Sequence, residues 1–121
     1  KRYQETSQKI DQLLHSKTGM LGVHKMLLQI DQVFCEIMSS RREEILNHMN
    51  DKMLQKFMKA MQNYPSILRT EYAYALCIQK DQKKAEKIKK RFVKIMKSHP
   101  NKAELETEIG FISEKENTEL S

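Results

Sequence analysis

Apolar residues recur along this chain at the three- and four-residue spacings of amphipathic helices, and no stretch alternates apolar and polar between turn signals. Tyr3, Ile10, Leu13 and Leu14 share one side, which predicts a helix from about Tyr3 to His15. Ser16 to Gly22 holds two glycines and a threonine and reads as a loop. Val23, Met26, Leu27, Ile30, Val33, Phe34 and Ile37 form the clearest stripe of the first half. Ser40 with Glu43 has the spacing of a capping box and predicts a new helix. Its apolar face runs Ile45, Leu46, Met49, Met53, Phe57, Ala60 and Met61; Asn50-Asp51 could cap a further start, but the unbroken stripe favours one long helix. Tyr64-Pro65 ends it, because a residue before proline is pushed out of the helical region.

A helix from Ser66 to about Gln79 follows, with Leu68, Tyr72, Ala75, Leu76 and Ile78 apolar. Asp81 can cap the next, whose inner face is Ala85, Ile88, Phe92, Ile95 and Met96 and which stops at His99-Pro100. Asn101 can cap a last helix carrying Leu105, Ile109, Phe111 and Ile112. Beyond Ser113 the chain turns polar and acidic, and residues 116–121 are expected to be a disordered tail. The prediction is an all-α chain of about five or six helices, one domain over 1–115.

The two proline stops lie 35 residues apart, and the same offset pairs Phe57 with Phe92, Lys59 with Lys94, Met61 with Met96, Glu71 with Glu106 and Ala75 with Gly110. An internal period of that size is the mark of a helical repeat. Each pair has a packing rationale: an aromatic anchor, a proline turn, a small residue for close helix approach, and a carboxylate in a first helical turn. Phe57, Ala60 and Pro65, then Ala75, and in the second unit Phe92, Ile95 and Pro100, then Gly110, resemble the tetratricopeptide repeat over residues 45–112. Departures are Ile95 where a small residue is usual, Glu71 and Glu106 where an aromatic is usual, and a period one longer than the family's 34 or so. An unrelated helical bundle is the rival reading. The resemblance implies antiparallel hairpins stacked as a short right-handed array that binds a peptide or partner helix on its concave side. Arg69, Tyr72, Leu76 and Gln79 on one first helix would face that side, with Thr107, Phe111 and Glu114 on the next. The family's grip on a terminal carboxylate is not expected, because Glu104, Thr107 and Phe111 stand where Lys and Asn would be needed.

Composition agrees with helix: glycine and proline number three and two, while Lys, Glu, Gln, Leu and Met abound. The formal net charge of +6 favours an acidic protein, nucleic acid or anionic membrane surface as partner without choosing among them. It is concentrated in one helix, where Lys83, Lys87, Lys90 and Lys94 stack along one side. That basic patch suits phosphates or anionic head groups, and no aromatic lies on its face to stack a base; a merely solvated face is the bland reading.

Candidate chemistry is sparse. His15, His24, His48, His99, Cys35 and Cys77 show no metal-ligand spacing, so no metal or other cofactor is expected. Cys35 and Cys77 lie in apolar runs and read as reduced core thiols, which points to a cytoplasmic setting. There is no phosphate loop, no nucleophile–base pairing and no run apolar enough to span a membrane. The eight methionines mostly fall on apolar stripes, as core or as an adaptable binding groove. The Lys1-Arg2 opening without an initiator Met suggests a piece of a longer protein; a domain tethered just inside a membrane and an arbitrary boundary both fit. The expectation is a non-enzymatic scaffold or adaptor, the alternative an adaptor for a membrane surface or nucleic acid through the basic helix 81–98.

Overall fold

A computed structural model describes residues 3–15 and 22–120, and all secondary structure among them is helical. The predicted loop at 16–22 lies outside the described residues except for Gly22. The described residues form seven α-helices: α1 (Tyr3–His15), α2 (Gly22–Met38), α3 (Arg42–Met49), α4 (Lys52–Ala60), α5 (Pro65–Ala73), α6 (Gln82–Met96) and α7 (Lys102–Leu120), with a π-helical segment, Tyr74–Ile78, continuing α5. None is long and apolar enough to cross a membrane. The chain divides into two compact units, Lys1–Met61 and Gln62–Ser121.

In the first unit α1 lies against α2, and Tyr3 meets Phe34 edge-to-face at 5.9 Å between ring centroids. The core residues of α2 are Cys35 and Ile30, Val33, Phe34 and Ile37, the last four being the C-terminal half of the predicted stripe. Val23, which opens that stripe, is 55% exposed. The capping box at Ser40 does not form. Ser40 instead ends α2 in the left-handed region (φ 60°), with its N–H on the Ile37 carbonyl and the Arg41 N–H on the Glu36 carbonyl. That is a Schellman ending, and a left-handed residue cannot also be the extended N-cap of the next helix. Arg41 takes the N-cap place without a side-chain cap.

The single long helix predicted from Ser40 to Tyr64 is two helices. Asp51 is extended and its carboxylate accepts from the N–H groups of Met53 (2.9 Å) and Leu54 (3.4 Å), which starts α4 afresh. The break resets the helical phase. The buried residues of α3 and α4 are Ile45, Leu54 and Met58, whereas Met53 of the predicted inner stripe is 73% exposed.

In the second unit, Pro65 is the first residue of α5, where its missing N–H costs nothing. α5 and its π continuation form a nearly all-buried rod, including Ile67, Leu68, Tyr72, Ala75 and Leu76. α6 and α7 both pack on it. A helix buried on most sides belongs at the centre of its unit. The rod ends at Lys80, also left-handed (φ 55°), and Asp81 caps α6 by accepting from the Lys84 N–H at 3.0 Å, as its position predicts. The inner face of α6 is Ala85, Ile88, Phe92 and Met96. That of α7 is Leu105, Ile109 and Ile112. α7 extends to Leu120, over most of the stretch whose composition predicts fraying.

The residues paired by the 35-residue offset occupy unlike settings. Phe92 is 1% exposed while Phe57 is half-buried, and Ala75 is buried while Gly110 is exposed with open space where a Cβ would point. Pro65 is inside α5, whereas Pro100 precedes the start of α7 at Lys102.

Candidate functional site

Of the residues the resemblance places on a concave side, Arg69, Tyr72 and Leu76 are buried, Phe111 is half-buried, and Gln79, Thr107 and Glu114 are exposed. Two of them tie α5 to α7. Arg69 Nη1 donates to Glu108 Oε2 at 2.8 Å, and the Tyr72 hydroxyl lies 3.3 Å from Ser113 Oγ. Gln79 accepts from Lys84 Nζ at 3.0 Å.

The basic patch is a true surface stripe. Lys83, Lys87, Lys90 and Lys94 are all exposed, directly opposite the buried Ala85, Ile88, Phe92 and Met96. Beside it, Glu71 is half-buried against this helix. Burial pushes its carboxyl above the ordinary range, and Arg91 and Lys84 pull it back.

The first unit holds two further features. One is a polar chamber of about 430 Å³ bounded by α1, α2 and α3. Ser7, Gln32 and Glu36 line it and are buried to 4%, 5% and 3% exposure. Glu36 Oε2 is 2.9 Å from His48 Nδ1, which joins the end of α2 to α3. This hydrogen bond raises the His48 pKa, partly offset by the desolvation of the ring. Gln32 Nε2 donates to Asp11 Oδ1 at 3.4 Å, and Arg41 pairs with Glu44 at 3.1 Å. Position alone gave no hint of this cluster, because Gln32 and Glu36 fall outside the apolar stripe of α2. The one available signal is Glu36 inside the run Val33-Phe34-Cys35-Glu36-Ile37, where a lone charge among apolar neighbours needs a partner.

The other feature is an apolar groove of about 520 Å³ between the first turns of α2 and α4, walled by Val23, Met26, Met53 and Phe57, with Lys25 and Asp51 at its charged positions. It exists because Asp51 restarts the helix and turns Met53 and Phe57 away from the buried side that Leu54 and Met58 occupy.

Cys35 and Cys77 are both buried and form no disulfide. Among the described residues, no group of three or more His, Cys, Asp or Glu side chains is placed to hold a metal ion. Comparison of the chain with protein-family models, with curated proteins and with solved structures finds no match.

Proposed function

We propose that this chain is a non-enzymatic scaffold or adaptor module that takes a short amphipathic peptide or partner helix in the α2–α4 groove. The observation that carries this reading is the concentration of exposed apolar surface there: Met53 is 73% and Val23 55% exposed, on two facing helices, with Met26 and Phe57 between them. An exposed apolar patch of this kind costs solubility unless it is covered in use. Methionine walls suit an adaptable site, since an unbranched thioether repacks around different side chains. A helix laid in such a groove would insert residues at i, i+3 and i+4.

The tetratricopeptide resemblance over 45–112 implies a second location for the same function, the concave side on which it would put Gln79, Thr107 and Phe111. Selection of peptides from a displayed helical library against the whole chain distinguishes the two. Met53→Glu is expected to weaken the selected peptides by about tenfold or more, the scale of burying one apolar side chain, and Gln79→Ala to leave them unchanged. Peptides that ignore Met53→Glu but lose affinity on Gln79→Ala or Thr107→Ala would move the site to the second face, and a library that yields no binder would remove the function.

A further inference from the structure

Charge on a helix surface is ordinarily laced with the opposite sign three or four residues away. In α6 only Glu86 stands at such a spacing, three residues from Lys83 and four from Lys90, and it pairs with neither. The sequence of α6 places Lys83, Lys84, Lys87, Lys89, Lys90, Arg91 and Lys94 against Glu86 alone. Among the described residues, no carboxylate forms an ion pair with Lys83, Lys87, Lys90 or Lys94. The four ammonium groups therefore present a positive field that the protein itself does not neutralise.

The geometry of that field narrows what it fits. At 1.5 Å rise per residue, Lys83 to Lys94 covers about 16 Å in a nearly straight line. The helix cannot turn to adapt, because Ala85, Ile88, Phe92 and Met96 anchor its opposite side. Neither an aromatic nor an arginine lies on the stripe itself, so it has no group to stack on an unpaired base and none to read a base edge as a fork. Its apolar side is already committed to the core, and Val93 is the one large apolar side chain that α6 leaves exposed, too little to anchor it in a bilayer. The exposed acids Glu104, Glu106 and Glu114 of the same unit belong to α7 and not to the stripe. A narrow polyanion can follow the lysine line alone.

We propose that the outer face of α6 docks the phosphodiester backbone of double-stranded nucleic acid, without reading its sequence. This goes beyond the groove reading and does not depend on it. Lysine is suited to the task as a strongly hydrated point charge. A stripe of about 16 Å laid along the duplex faces a backbone that carries one charge per about 1.7 Å of axis, so each of the four lysines has phosphates within reach.

The test uses the whole chain and a fluorescent 20-base-pair DNA duplex of arbitrary sequence, titrated between about 50 and 300 mM salt. Four phosphate contacts predict a slope of log K against log salt of about −3 to −4, and duplexes of different sequence should bind within about threefold of one another. Changing Lys83, Lys87, Lys90 and Lys94 to Gln is expected to weaken binding at least tenfold at low salt and flatten the slope, with the helical circular dichroism unchanged. The comparison variant changes Lys9, Lys52, Lys56 and Lys59 to Gln, which removes the same charge from the first unit, and should retain most of the binding. Equal loss in both variants would reduce the effect to net charge and overturn the proposal. So would binding to vesicles containing phosphatidylserine with none to the duplex, or no binding to either.

Discussion

Glu36 and His48 show what one buried pair does for a small helical unit. Glu36 is almost sealed from water, and its oxygen lies 2.9 Å from the imidazole. A carboxylate so placed is stable only while its partner is present. Asp11 on α1, together with Arg41 and Glu44 at the start of α3, faces the same chamber. Glu44 is held below the ordinary carboxylate range, first by a hydrogen bond to its backbone and then by Arg41. The His48 pKa is raised above the ordinary 6.5 in the folded chain. Its contribution is therefore complete below pH 6.5 or so and is lost as pH rises through the raised value. The urea midpoint of unfolding is expected to fall between pH 6 and pH 9 at this site. Glu36→Ala should cost about 2 kcal/mol at pH 6, below the usual range for a buried pair because the ring is partly exposed. Equal midpoints at both pH values, in both proteins, would show that the pair carries no such linkage.

Helix starts were legible where one residue decides them: Asp81 caps α6 as expected, and α5 starts at Pro65, one residue before the expected Ser66, although the preceding helix stops already at Ala60 and not at Tyr64-Pro65. They were misread where two signals compete. Ser40 has capping-box spacing and also the position to close α2, and closure won through two backbone bonds. Asp51 was outweighed by an apolar stripe that seemed continuous, yet its cap is what sets the phase of α4. The 35-residue repeat lives at this scale too. Sequence pairs Phe57 with Phe92, but their burial differs, so their truncations should differ. Phe92→Ala is expected to cost about 3–5 kcal/mol and Phe57→Ala about 1, read from denaturant midpoints at unchanged slope. Equal costs would restore the two as matched anchors.

At the scale of the molecule, the division at Met61/Gln62 is invisible in the pattern, which runs helix after helix across it. Each half is near the size at which a single core is marginal. The second has a central rod, α5 with its π continuation, clamped by α6, α7, the Arg69–Glu108 pair and the Tyr72–Ser113 contact. Residues 62–121 made alone are expected to melt cooperatively with helical circular dichroism; a non-cooperative, weakly helical fragment would show that the second unit needs the first. The sequence by itself determined that the chain is helical and which side of α6 is wet, because spacing and charge are local properties. It also placed the basic stripe correctly on the surface. Only the tertiary structure decided that Arg69 and Tyr72 are spent on α7, that Ser7, Gln32 and Glu36 enclose a polar chamber, and that Met53 and Phe57 wall a groove. Those outcomes depend on the phase at which one helix meets the next, and a single cap at Asp51 or a left-handed residue at Ser40 resets that phase without changing the pattern on either side.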